Sequence, residues 1–136
     1  WVREVNIDQL YDETDILSLH VPLTEETKYM VDKSFIESFR KPFFLINTAR
    51  GPVVKTQELV NKLESGKILG AALDVLEFEK STFEELHGSE EMPDYFQKLV
   101  KMDNVLLSPH IAGWTEESNH KLSEIIATKI LDEFIL

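Results

Sequence analysis

The chain is 136 residues long, enough for one modest hydrophobic core and hence for one domain or a piece of one. At 43% hydrophobic and 29% charged residues the composition is globular and excludes a disordered chain, and no apolar run reaches the roughly 20 residues of a membrane-spanning helix. The 25 acidic against 14 basic residues give a formal charge of -11, with the basic ones scattered, which argues against nucleic acid and anionic membrane as partners. The chain has no cysteine and no basic-then-apolar leader, so a cytoplasmic setting is expected. Trp1 begins without a methionine and the last helical run stops at Leu136 without a capping residue, so the chain is expected to be a fragment of a longer protein.

Residues 4–12 read as a short helix or turn with Ile7 and Leu10 inward, followed by a strand from Ile16 to Val21 that Pro22 ends. A polar turn over Thr24 to Thr27 leads to Asp32, which can cap a short helix with Phe35, Ile36 and Phe39 on its inner face. The stretch from Phe43 to Val54 organises the rest: an apolar run enters Asn47 and Thr48 and breaks at Ala49, Arg50, Gly51 and Pro52, the pattern of a buried parallel strand emptying into a tight loop. Thr56 can cap a helix with Leu59, Val60 and Leu63 buried, which Gly66 stops.

Ile68 to Val75 follows as a strand rich in small residues, where Gly70, Ala71 and Ala72 allow close approach of a neighbour or a cofactor. Residues 76–94 form an acidic, irregular stretch. Beyond it, a short helix from Asp94 to Met102 would turn Tyr95, Phe96, Leu99 and Val100 inward, and Asn104 to Leu107 reads as a strand ending at Ser108, Pro109 and His110. Thr115 can cap the last and longest helix, in which Leu122, Ile125, Ile126, Ile130 and Phe134 recur at helical spacing. Strand-then-helix units in this rhythm indicate an α/β fold with a parallel sheet covered on its faces by helices.

Polar groups fall just after the strands: Arg50, the acids Asp74, Glu77 and Glu79, and His110. Parallel strands all end at one edge, so these groups can converge although they are far apart in sequence. An arginine, a carboxylate and a histidine in one cleft suit reversible oxidation of an alcohol beside a carboxylate. The guanidinium clamps the substrate, the imidazole moves the hydroxyl proton, and the carboxylate holds the imidazole. Each has a plainer reading beside it: a surface arginine in a βα turn, an acid on a solvated loop, a histidine that closes a strand end. Ser108, Asp74 and His110 supply the atoms of a hydrolytic triad, but no G-x-S-x-G elbow is present. Without cysteine or clustered histidines there is no zinc pattern, and neither a P-loop nor G-x-G-x-x-G occurs.

The ordered segments DILSLHVPLTEET, LINTARGPV, ELVNKLESGKILGAALDVLEFE and NVLLSPHIAG resemble the second half of the nucleotide-binding domain of the D-isomer-specific 2-hydroxyacid dehydrogenases, the family of D-lactate, hydroxypyruvate and phosphoglycerate dehydrogenases. The resemblance implies a Rossmann-like doubly wound sheet with helices on both faces. Residues 1–115 would be the C-terminal half of the dinucleotide-binding domain, and residues 116–136 a long helix leading back toward a substrate domain outside this chain.

It also implies site roles. Arg50 resembles the substrate-carboxylate arginine, His110 the acid/base histidine, and Glu79, rather than Glu77, the catalytic glutamate. His20, Val21, Pro22, Thr48 and Ala49 would line the NAD site, Asp74 would meet the nicotinamide end, and Ala112 and Gly113 would back it. NAD is the implied cofactor, with NADP left open, and the implied partners are a small 2-hydroxy or 2-oxo acid and a second copy in a homodimer joined through the nucleotide-binding domains. Some relatives of this fold act instead as non-catalytic, NAD-sensing regulators, and that reading stays beside the enzyme. Lys80 and Lys55 depart from the common pattern. The long segment from Ser81 to Met102 resembles the D-lactate dehydrogenase branch, and Glu79 argues against the formate dehydrogenase branch.

Overall fold

Four short apolar segments, with turns and short helices set between them, become the strands of one parallel sheet. The computed structural model describes residues 2–78 and 92–134. Its elements are α1 (Ile7–Glu13), β1 (Ile16–Leu19), α2 (Lys33–Ser38), β2 (Phe43–Asn47), a 3-10 turn (Gly51–Val53), α3 (Thr56–Glu64), β3 (Ile68–Leu73), α4 (Asp94–Leu99), β4 (Val105–Leu107) and α5 (Glu116–Phe134). The strands lie in the order β1-β2-β3-β4, and every neighbouring pair is parallel. Leu19 pairs with Asn47, Asn47 with Leu73, and Leu73 with Leu107. That row is the carboxyl edge of the sheet, and every candidate site segment leaves from it.

Alternation along the strands decides which face is covered. Leu17, Leu19, Phe43, Leu45, Ile68 and Leu73 are buried and share one core with Ile36 and Phe39 of α2, Leu59, Val60 and Leu63 of α3, and Leu99 of α4. Tyr11, Phe35, Phe39 and Phe43 form an aromatic chain at one side of this layer, with centroid separations from 4.2 to 5.7 Å and mostly edge-to-face geometry. On the opposite face Ile16, Phe44, Leu69 and Leu106 are exposed, and they line an apolar groove of about 480 Å³. Among the described residues, packed helices cover only the first face.

Local chemistry explains most boundaries. Asp32 caps α2 as its sequence predicts, its Oδ1 accepting from Phe35 N at 2.9 Å. Gly66, at φ 74, takes the left-handed conformation after α3. Thr115 Oγ1 accepts from Ser118 N at 3.0 Å at the start of α5.

Five expectations are corrected. Ile7 is exposed, so α1 meets the core through Leu10 and Tyr11 instead. β1 stops at Leu19 and β3 at Leu73, each two residues early. Thr56 does not cap α3; it is the first residue of the helix, and its N–H is taken by Glu77. Val100 points outward, since α4 ends at Leu99. Apart from these, the apolar stripe of α5, whose spacing set no expectation of burial, is exposed throughout, with no buried residue in the helix. The smallness of Gly70 serves the sheet itself, because a Cβ there would lie 2.9 Å from Asn104 O and 3.3 Å from the Phe44 ring. No helix among the described residues is long and apolar enough to cross a membrane.

Candidate active site

β2 delivers Arg50 through a loop held from within. Asn47, the last residue of the strand, is 1% exposed, and a buried amide must find partners. Its Oδ1 accepts from Ala49 N at 3.0 Å and its Nδ2 donates to Arg50 O at 3.1 Å, so one side chain spans the turn. Arg50 has extended backbone, and its Nη1 donates to Ala49 O at 2.6 Å while the side chain stays exposed. The next residue could only be glycine: a Cβ on Gly51 would sit 1.9 Å from Leu76 O. The arginine loop thus packs backbone to backbone against the segment leaving β3.

β3 ends at Asp74, and this carboxylate organises the histidine loop. Asp74 is 5% exposed. Its Oδ1 accepts from Ser108 Oγ at 2.6 Å and from Ile111 N at 2.9 Å, and its Oδ2 accepts from Ala112 N at 3.0 Å. Burial is the largest single influence on its pKa and pushes it up. Hydrogen bonds from Ser108, Ala112 and Ile111, with the His110 charge nearby, outweigh that and hold the carboxyl below its ordinary range. His110 N donates to Asp74 O and to Ser108 O, both at 3.0 Å. The histidine itself sits at φ 56, a left-handed conformation that a non-glycine residue keeps only where its surroundings enforce it.

The remaining lining comes from β1. His20, Val21, Pro22, Leu23, Thr48, Ala49 and Arg50 border one open cleft of about 590 Å³ at the carboxyl edge. His20 is exposed and not a core group, with its Nε2 2.8 Å from Ser18 Oγ. Five of the expected cofactor-lining residues, His20, Val21, Pro22, Thr48 and Ala49, are therefore brought together with Arg50. Asp74 and Ala112, beyond the ends of β3 and β4, are joined by a hydrogen bond, and Gly113 is exposed just beyond them. Glu79 lies outside the described residues. The cleft has the size of a small-molecule site, about 300–1,000 Å³, and mixes apolar wall with a cation and an imidazole. Those features fit part of a dinucleotide beside an anionic substrate.

Asn47 was not singled out by its pattern, and Glu77 was named among the acids after β3 but set aside for Glu79. Asn47 was readable only as the end of a strand, although a buried asparagine two residues before a turn is a known signal for such a brace. Glu77 was one acid in a run of acids. In the structure its Oε2 accepts from Thr56 N at 3.1 Å, 21 residues away in sequence.

A parallel sheet with polar side chains gathered where its strands end is the ligand-binding part of an open α/β nucleotide-binding domain. Residues 1–112 match the family model described as D-isomer specific 2-hydroxyacid dehydrogenase, NAD binding domain, and the chain belongs to that family. It is 42% identical over 132 residues to the D-specific alpha-keto acid dehydrogenase of Enterococcus faecium, covering 96% of this chain and 41% of the relative. It is 41% identical over 126 residues to the glyoxylate reductase of Thermofilum pendens, covering 93% of this chain and 34% of the relative. Among solved structures it is similar to the NAD-complexed D-isomer specific 2-hydroxyacid dehydrogenase of Lactobacillus delbrueckii ssp. bulgaricus, with TM-score 0.79, 38% identity, and 93% of this chain and 39% of that one covered. The chain thus spans 34 to 41% of the length of these relatives.

Proposed function

We propose that the protein containing this chain is an oxidoreductase that transfers hydride between NAD(H) and a D-2-hydroxy acid or its 2-oxo acid. The observation that carries the reading is the cleft that joins Arg50 to His20, Val21, Pro22, Thr48 and Ala49 at the carboxyl edge of the sheet. Arg50 binds the substrate carboxylate through its planar fork and draws electron density from the adjacent carbonyl. The His110 imidazole gives a proton to the carbonyl oxygen in reduction and takes the hydroxyl proton in oxidation. Glu79 holds that imidazole in its protonated form. Bound nicotinamide supplies or accepts the hydride. Asp74 acts on the nicotinamide side through the Ile111, Ala112 and Gly113 loop that it anchors, while Thr48, Ala49 and the His20 to Pro22 segment form the cofactor's wall.

Residues 1–115 are the C-terminal half of the dinucleotide-binding domain in this reading, and residues 116–136 lead toward the substrate domain. The protein is a cytoplasmic homodimer joined through its nucleotide-binding domains. The names of the relatives support a small 2-oxo acid as substrate, and the NAD named with the Lactobacillus structure supports that cofactor. The test is hydride transfer by the full-length protein, followed through nicotinamide absorbance with NADH or NADPH and a panel of 2-oxo acids. Turnover with one or more acids is expected. Cofactor binding without turnover on any of them would overturn the enzyme and favour a non-catalytic NAD sensor.

A further inference from the structure

Arg50 is tethered on its amino side by Asn47, but the other flank of its loop needs a separate anchor. Two contacts supply one. Glu77 Oε2 accepts from Thr56 N, the first N–H of α3, where Lys55 offers no side-chain cap. A helix N-terminus favours a carboxylate, so this acceptor is well matched to its donor. Tyr29 N donates to Pro52 O at 2.8 Å, and the Tyr29 phenol feels the same Glu77, which raises its pKa. Between these contacts, Gly51 lies against the Leu76 backbone too closely for any side chain. Tyr29 adopts φ 56, a left-handed conformation that a bulky residue keeps only where anchors over-determine it.

We infer that Glu77, with Tyr29, is a positioning residue that fixes the loop carrying Arg50 against the end of β3. The inference rests on the proposed role of Arg50 in holding a substrate carboxylate. The chain reaches Glu79 two residues after Glu77, so one carboxylate ties the arginine loop to the segment that carries the next acid. Loosening this tie lets the guanidinium leave its place, which weakens capture of the oxo acid before it affects the cofactor.

The test uses Glu77→Ala, Glu77→Gln and Tyr29→Phe in the full-length protein, with two readouts. The first is steady-state kinetics: Glu77→Ala is expected to raise KM for the 2-oxo acid about tenfold, with NADH affinity by fluorescence unchanged. Glu77→Gln, which keeps an oxygen acceptor, is expected to recover most of the loss. The second needs no turnover. Phenylglyoxal modifies exposed arginines, and peptide mapping should show Arg50 reacting about threefold faster or more in Glu77→Ala while Arg3 and Arg40 keep their rates.

Unchanged KM together with an unchanged Arg50 rate would overturn the inference. So would a fall in kcat at constant KM that matches a loss of active enzyme, because that is the mark of a merely structural group. If the parent protein turned over no 2-oxo acid, the proposed function would fail and the Arg50 rate alone would decide the positioning role. Should Glu77→Ala not fold, Tyr29→Phe decides, with a smaller rise in Arg50 reactivity expected and no rise overturning the idea.

Discussion

Ser108 Oγ donates to Asp74 Oδ1 at 2.6 Å, and the same oxygen accepts from Ile111 N at 2.9 Å. One buried carboxylate therefore grips the chain on both sides of His110. Replacing it removes the acceptor for three donors at once. Charge-assisted bonds are worth about 1.5–3 kcal/mol each but are not additive, so Asp74→Ala should cost roughly 3 kcal/mol in urea unfolding. Turnover should fall further than stability, because His110 loses its orientation. A variant with native activity would remove Asp74 from the site.

The same carboxylate sets an acid limit. Its folded pKa lies below the ordinary value of 3.8, so the unfolded chain binds the proton more readily. Its contribution to stability is complete above about pH 3.8 and is lost as pH falls through the lower, folded value. Unfolding midpoints of the wild type and Asp74→Asn, taken through the acid range, should converge as the pH drops. Parallel curves would refute the linkage.

How much of this could be read beforehand depends on where each residue finds its partner. Asp32 caps α2 with a donor three residues away, and Gly66 ends α3 by its own backbone freedom, so both followed from local pattern. The Phe43 to Asn47 run delivered Arg50 to the carboxyl edge for the same reason: a buried strand followed by a breaker has few other outcomes. Thr56 failed as a cap because the helix starts one residue sooner, with Lys55 at the cap position and Thr56 already inside, where Glu77 from another crossover meets its N–H. The exposure of Ile7 and of the α5 stripe could not be foreseen from periodicity, which reports that a face is apolar and not whether something covers it. Among the site residues, the segment quoted around Arg50 and the SPHIAG segment fell at strand ends as expected, whereas Asn47 and Glu77 were hidden because their work lies in contacts with main chain.

For the proposed chemistry, His110→Ala in the full-length protein should lower kcat roughly 100- to 10,000-fold, the range of a lost general acid/base. Arg50→Ala should weaken both substrate binding and rate, since its fork serves the bound acid and the developing charge alike. Near-native rate in His110→Ala would refute the assigned proton transfer.

Gly51→Ala tests the close approach of two loops. Its Cβ would fall 1.9 Å from Leu76 O, and that atom is backbone, so no side-chain rotation can make room. Overpacking of this kind costs about 1–3 kcal/mol. The unfolding midpoint should drop accordingly, and KM for the oxo acid should rise because Arg50 is the next residue. An unshifted midpoint would mean that the loops part without cost.

Glu77 also leaves a mark on two phenols. The pKa of Tyr29 is raised above 10, chiefly by its hydrogen bond to Glu77 and then by burial, while that of Tyr95 is raised first by burial and then by the Glu77 charge. A raised tyrosine pKa contributes stability below its unfolded value of about 10, and the contribution is lost as pH climbs through the folded value. Ultraviolet titration of the wild type should therefore show Tyr29 and Tyr95 ionising late. In Glu77→Gln the charge is gone, so both should move down toward 10, with Tyr29 keeping part of its shift because the amide oxygen still accepts from the phenol. Titrations that do not move in the variant would separate Glu77 from both rings.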